Sequence, residues 1–368
     1  MGLMRRLFHT LLLLLATVSA AEDLQLTLPP VVFATPDVEM SIYHDNVVLT
    51  QAPQDYRFEV KCALGRNEQR RWTVTPADRD VGDHPVEITV SDKTGRVLAS
   101  GRSTLHVSPR NGGQSRGVRL LILGDSLTNA TIYPNTIATL LSRPGNPKWV
   151  MIGTHKPSSA LPTVSHEGYG GWKWSDFLTK FAPQPAIDTA GPPARKATSP
   201  FIFPDAAQKP VFDLPRYFRE HADGRPPDVV TFLLGINDCF GARPDDPDPK
   251  ITEVLGHAEK LLAEFRKAAP EALLAVGLTT PPNSRQAAFE ANYQDKYTRW
   301  GWKRIQHRLV RRMLEQFSGR EAENIHLVPT ELNLDPIDGY PPNNGVHPNA
   351  AGYAQIGASF YSWLKSRW

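Results

Sequence analysis

Val118-Arg119-Leu120-Leu121-Ile122-Leu123-Gly124-Asp125-Ser126-Leu127-Thr128 decides how the rest of the chain is read. Five of its first six residues are aliphatic, as a strand needs when both sheet faces are covered. The run then stops at a glycine, an acid and a serine. Working outward, Trp149–Ile152, Val229–Leu234, Leu273–Leu278 and Ile325–Val328 are further apolar strand candidates. Helical periodicity fills Ile251–Ala268, Tyr297–Phe317 and Ala350–Lys365 between and after them. Alternating strands and helices predict an α/β domain on a doubly wound parallel sheet. In such sheets ligands sit beyond the carboxyl ends of the strands, so chemistry is sought in the loops that follow them.

Upstream the pattern is different. Val31–Phe33, Glu39–Tyr43, Tyr56–Cys62, Arg71–Val74, Val86–Val90 and Val97–Val107 are short runs, several of them alternating apolar with polar residues. Their spacing and turn signals predict a small all-β sandwich. Ser108 to Gly117 has the composition of a linker. Residues 1–21 read as a signal peptide: Arg5 and Arg6, a short apolar run from Leu7 to Val18, then small residues before Glu22. The expected order is a signal peptide at 1–21, an accessory β-domain at 22–110, a linker at 111–117 and the α/β domain at 118–368. This predicts a secreted or periplasmic protein with no stable membrane insertion after cleavage.

The 368 residues carry a net charge of only +3, which gives no basis for nucleic-acid binding. Two cysteines, Cys62 and Cys239, are too few for a disulfide scaffold and are expected as free thiols. Residues 181–227, rich in Pro, Ala and Asp, read as a long loop overhanging the sheet edge.

Four segments carry candidate chemistry. Ser126 stands where a strand ends and a helix can begin, which exposes its hydroxyl; a plain helix cap is the bland alternative. Gly235-Ile236-Asn237-Asp238 closes another strand, and Asn237 is either an amide donor or a turn residue. His166-Glu167-Gly168-Tyr169-Gly170-Gly171-Trp172 has the glycines that let backbone approach a ligand. Asn344-Gly345-Val346-His347-Pro348-Asn349 puts a histidine just ahead of the closing helix.

In this order the four segments resemble the blocks of the SGNH, or GDSL-type, hydrolase family over about residues 118–368: Gly124-Asp125-Ser126, Gly171, Gly235-Ile236-Asn237-Asp238 and His347-Pro348. The resemblance implies a three-layer α/β/α, flavodoxin-like domain and an acyl-ester hydrolase that needs no metal or organic cofactor. Ser126 is then the nucleophile and His347 the base. The N–H groups of Ser126 and Gly171 and the amide of Asn237 form the oxyanion hole. Asp125 is expected to hold its turn by hydrogen bonds.

One position departs from the pattern. The family has an aspartate three residues before the histidine, and here Asn344 stands there. Three alternatives follow: a Ser–His dyad, help from an acid elsewhere such as Asp335 or Asp338 in the same loop, or weak or lost activity. The expected substrate is a short acyl ester, acetyl first, on a carbohydrate or another small ester, with Trp172 and Trp174 either stacking on its sugar ring or packing in the core. The alternatives are a non-catalytic carbohydrate-binding or surface protein that keeps the fold, and a lipase or O-acyltransferase. Oligomeric state is not legible.

Overall fold

The computed structural model describes Leu24 and residues 26–182 and 197–368. The predicted signal peptide, and 183–196 of the predicted long loop, lie outside the described residues. The N-terminal unit contains β1 (Val31–Ala34), β2 (Met40–Tyr43), the short helix α1 (His44–Val47), β3 (Arg57–Lys61), β4 (Arg66–Asn67), β5 (Arg71–Val74), β6 (Gly82–Ser91) and β7 (Val97–Val107). They form one sheet in the order β1-β7-β6-β3 and a second in the order β2-β5-β4. Along β6, Val86, Ile88 and Val90 are buried while Glu87 and Thr89 between them are less so, the period of two of a half-buried strand. Those residues meet Ile42, Val60, Trp72 and Leu105 in one core. The strand β4 was not foreseen, because two residues carry no alternation. The Asn67 side chain reinforces it by donating to the Val60 carbonyl and accepting from the Val60 N–H, both at 2.9 Å.

The second unit runs β8 (Gly117–Gly124), α2 (Ser126–Asn129), α3 (Ile132–Leu141), β9 (Lys148–Ile152), β10 (Glu167–Gly168), α4 (Trp174–Thr179), β11 (Ile202–Pro204), β12 (Pro210–Phe212), α5 (Leu214–His221), β13 (Val229–Leu233), α6 (Ile236–Cys239), α7 (Asp248–Ala268), β14 (Leu273–Gly277), α8 (Gln286–Tyr293), α9 (Arg299–Phe317), β15 (Ile325–Val328) and α10 (Ala350–Lys365). Its main sheet is parallel. β8 pairs with β13, β13 with β14 and β14 with β15, while β9 and then β10 occupy the other edge of β8. The chain therefore moves one way from β8 to β9 and back past β8 to β13. Right-handed crossovers put the connecting helices of the two directions on opposite faces. α3 packs with α10 on one face, and α7 packs with α4, α5 and α9 on the other. This is the predicted doubly wound α/β architecture. The reversal leaves a crevice between the carboxyl ends of β8 and β13, where Gly124 pairs with Leu233. Part of the expected loop is ordered after all, as the β11–β12 hairpin and α5.

The two units are docked along a polar seam. Ser41 N–H donates to Asn333 Oδ1 at 2.8 Å, and Tyr43 N–H to the Leu332 carbonyl at 3.1 Å. Asn46 Nδ2 donates to the carbonyls of Glu331 (2.7 Å) and Leu334 (2.8 Å), and Leu332 enters the sandwich core. The predicted linker is no free tether. The buried Lys365 ammonium donates to the carbonyls of Arg110 (2.8 Å), Gly112 (2.6 Å) and Gly145 (3.1 Å), tying it to α10. Cys62 and Cys239 are free thiols; Cys62 is half-buried and Cys239 buried. Among the described residues no helix is long and apolar enough to cross a membrane.

Glu331 at this seam is fully buried, and no side chain among the described residues pairs with its carboxyl group. Burial pushes its pKa up to about 8. A carboxyl whose folded pKa is raised holds its proton better folded than unfolded. Its contribution to stability is therefore complete below the unfolded value and is lost as pH rises toward 8. Glu331→Gln cannot ionise. The variant is expected to gain stability relative to wild type as pH rises from 5 to 8.5, by up to a few kcal/mol, read as a growing difference in melting temperature. A difference in melting temperature that stays constant across that range would refute the buried-acid account.

Candidate active site

The apolar strand β8 ends at Gly124 because nothing larger fits there: a Cβ would lie 1.8 Å from Thr128 Oγ1 and 2.9 Å from the Leu233 carbonyl. Asp125 caps the next turn, its Oδ1 accepting from Leu127 N–H at 2.9 Å. That turn lifts Ser126 to the sheet edge as a half-buried side chain. Its hydroxyl lies 2.9 Å from His347 Nε2, across 221 residues of sequence.

His347 arrives on the segment before α10, whose N-terminus is capped by Asn349 accepting from Gly352 N–H at 3.1 Å. Asn344 Oδ1 lies 3.2 Å from His347 Nδ1 and also accepts from the backbone N–H of His347 (2.9 Å) and Val346 (3.1 Å). An amide oxygen can only accept, so Nδ1 carries the proton and Nε2 presents its lone pair to the serine. Burial lowers the His347 pKa below its usual 6.5.

Asp335 and Asp338 do not join this arrangement. Asp335 takes both terminal nitrogens of Arg70 at 3.1 Å, and Asp338 Oδ2 takes Arg70 Nη2 at 2.6 Å. Arg70 belongs to the sandwich, so both acids serve the seam between the units. Asn344, and neither Asp335 nor Asp338, is thus the residue that stands behind the imidazole.

The glycine turn lies beside the serine. Gly168 in β10 pairs with Gly124, and Tyr169 N–H donates to the Gly124 carbonyl at 3.1 Å. Gly171 follows at φ +80°, exposed, in a left-handed conformation that glycine adopts without strain. From the next strand, Gly235 (φ +120°) turns the chain into α6 and sets Asn237. Asn237 Nδ2 donates to the Trp172 carbonyl (3.1 Å) and to Asp125 Oδ2 (3.2 Å). One amide thus ties together the three segments that carry Ser126, Gly171 and Asn237. Burial raises the Asp125 pKa to about 7, with the nearby Asp238 adding to the effect.

Residues 122–355 match the GDSL-like lipase/acylhydrolase family. The chain belongs to that family. It is a serine esterase by that membership. No curated protein matches the sequence. Among solved structures it is similar to a family 3 carbohydrate esterase of Clostridium thermocellum (18% identity over 67% of this chain and 94% of that one, TM-score 0.41). It is also similar to a family 3 carbohydrate esterase from Talaromyces cellulolyticus (17%, 68% and 97%, TM-score 0.40). An acetylxylan esterase from Geobacillus stearothermophilus is a third (16%, 67% and 94%, TM-score 0.39).

In this GDSL-like hydrolase the expectation for Trp172 and Trp174 is corrected. They are 0% and 2% exposed. Trp172 packs on Tyr169 (4.5 Å between centroids) and Phe177 (4.9 Å), and Trp174 stacks on Phe232 (5.5 Å). Two large rings at i and i+2 around an exposed Lys173 both turn inward, so neither has a face for a sugar.

One aromatic side chain that was not singled out from the sequence packs on residues that adjoin the catalytic segments. Tyr293, half-buried on α8, sits between Phe240, three residues past Asn237, and Phe289 (centroids 5.5 and 5.9 Å). Phe289 in turn presses on Gly345, where a Cβ would lie 3.0 Å from its ring. The available signal was position: α8 follows the carboxyl end of β14.

Proposed function

We propose that this esterase is an exported enzyme that hydrolyses short acyl esters, acetyl first, on carbohydrates, through an acyl-enzyme on Ser126. The observation that carries the catalytic part is the 2.9 Å contact of Ser126 Oγ with His347 Nε2, with Asn344 behind the imidazole. Ser126 O–H donates to Nε2. As Oγ bonds to the ester carbonyl carbon, the proton passes to Nε2 and negative charge collects on the carbonyl oxygen. The N–H groups of Ser126 and Gly171 and the Asn237 amide receive that charge, the amide turning one N–H from Asp125 to the oxyanion. Nε2–H then protonates the departing sugar oxygen. Water, deprotonated by the same nitrogen, releases the acid and restores the serine.

Export rests on residues 1–21, with the sandwich at 22–110 and the tie at 111–117 travelling with the 118–368 hydrolase unit. The short-acyl reading is supported by the loops around Ser126. His166–Lys173 holds glycines and polar residues with no aliphatic side chain, and a long acyl chain needs a groove that returns about 0.8 kcal/mol per CH₂. Half-buried Tyr293 offers a ring and a hydroxyl to a sugar in place of the two tryptophans. The test is kcat/KM for nitrophenyl esters of two to twelve carbons beside acetate release from acetylated xylan, mannan and pectin. A maximum at two to four carbons with acetate release is expected. A maximum at eight or more carbons without acetate release would overturn the reading.

Asn344→Asp probes the departure from the family pattern. A carboxylate 3.2 Å from Nδ1 favours the charged imidazolium and raises the His347 pKa. The base must be neutral, so activity rises with pH through that value. In wild type this rise lies below pH 6.5, because burial lowers the pKa. In Asn344→Asp it moves upward by on the order of one unit, with full activity kept at pH 8. A pH–rate profile that does not move would show that residue 344 does not act on the base.

A further inference from the structure

We propose that the cleft between the sandwich and the hydrolase unit is a second, non-catalytic site that holds the uncharged backbone of a glycan; this deepens the carbohydrate-ester reading and rests on it. The cleft has a volume of about 970 Å³, in the range of ligand sites. It runs along β3, the outer strand of its sheet. One wall carries Tyr56 and Phe58, both half-buried and two residues apart, with the amides of Gln51 and Gln54 at the rim. The other wall is Ser284, Arg299, Pro336 and Ile337 of the hydrolase.

Three features set the ligand class. The charges cancel: three acids (Asp45, Glu59, Glu68) face three arginines (Arg57, Arg70, Arg299). Several are already committed, Asp45 to Lys303, Glu68 to Arg66 and Arg71, and Arg70 to Asp335 and Asp338. What remains is Glu59 beside Arg57 and Arg299, an excess of a single charge spread over both walls and not a cluster of one sign. Next, rings and planar amides share the surface, the combination that meets a sugar's C–H face and its hydroxyls. Finally, the His44 ring is stacked on Phe58 (4.6 Å, 6°), and its buried Nε2 has no hydrogen-bond partner. Buried polar atoms are normally paired. Burial lowers the His44 pKa to about 4, so the ring that backs Phe58 in the cleft wall is neutral at working pH.

The position links the cleft to catalysis. Ser284 N–H donates to the Pro336 carbonyl at 2.7 Å. Its neighbour Asn283 donates from N–H to the Gly345 carbonyl (2.9 Å) and from Nδ2 to the Asn344 carbonyl (3.0 Å). A glycan filling the cleft therefore lies against the two loops that hold Asn344 and His347. The sandwich would act as the wall of an extended polysaccharide site.

The experiment uses the full chain and unacetylated xylohexaose, mannohexaose and cellohexaose in titration calorimetry. At least one hexaose is expected to bind wild type, and Tyr56→Ala and Gln54→Ala to weaken it tenfold or more. Gln54 is exposed, so its truncation leaves the fold intact. KM on the acetylated polymer should rise by a similar factor, while kcat/KM on nitrophenyl acetate stays at the wild-type value. Absence of hexaose binding, or binding unchanged in both variants, overturns the cleft proposal. If wild type releases acetate from glycans in that case, the substrate reading stands and the cleft alone fails. If nitrophenyl acetate is cleaved but no acetylated glycan is, the substrate reading has failed and the cleft proposal falls with it.

Discussion

Ser126→Ala is expected to lower kcat/KM on nitrophenyl acetate by three orders of magnitude or more. Among the described residues the Ser126 hydroxyl is the nucleophile that hydrogen-bonds His347 Nε2, at 2.9 Å, and alanine removes the group from which the imidazole takes its proton. Ser126 is half-buried at the start of a short turn, so the truncation removes no core contact. His347→Ala should fall nearly as far, because an unassisted serine hydroxyl is a poor nucleophile at neutral pH. The double variant should be little worse than either single one, since the two groups act as one unit. A fluorophosphonate should label Ser126 in wild type and leave Ser126→Ala unlabelled. An alanine variant that keeps a tenth of its rate would remove Ser126 from the mechanism.

Asn237→Ala carries the second-largest expected effect, a loss of about a hundred- to a thousandfold in kcat with little change in KM. The oxyanion exists only in the transition state and the tetrahedral intermediate, so its donor contributes to turnover and not to substrate binding. The same amide holds Trp172 and Asp125 together, so truncation also leaves two buried acceptors without a donor. The kinetic split separates these roles. A disordered glycine turn raises KM and lowers the melting temperature, whereas a lost oxyanion donor lowers kcat in a protein that melts near wild type. A loss in KM alone would assign Asn237 to architecture.

Much of this molecule was legible before folding was considered. Val118–Leu123 is apolar at every position but Arg119 because β8 lies between two strands and under helices on both faces, and such burial writes itself into composition. The sandwich strands showed through period-two alternation, as in Val86, Ile88 and Val90. Local backbone demands were equally visible: Gly124 where a Cβ would collide with Thr128, and Gly171 and Gly235 where φ is positive. These are constraints that a residue meets with its near neighbours, so one sequence records them.

Which side chains meet at long range was decided only by the tertiary structure. Trp172 and Trp174 are chemically fit for sugar stacking, but inward packing of α4 and the turn before it takes both faces. Asp335 and Asp338 stand within twelve residues of His347 and yet pair with Arg70, more than 260 residues away in sequence, because an acid goes to the cation that the docked sandwich supplies. Tyr293 meets Phe240, which follows Asn237, and Phe289, which presses on Gly345, only because the fold brings α6 and α8 together. The sequence by itself determined the α/β and β units, the order of the four chemical segments and the absence of an aspartate at 344. The fold decided that Asn344 faces the imidazole, that Tyr293 packs between Phe240 and Phe289, and that the two units enclose a cleft, because each depends on contacts between segments whose spacing along the chain carries no record of their meeting.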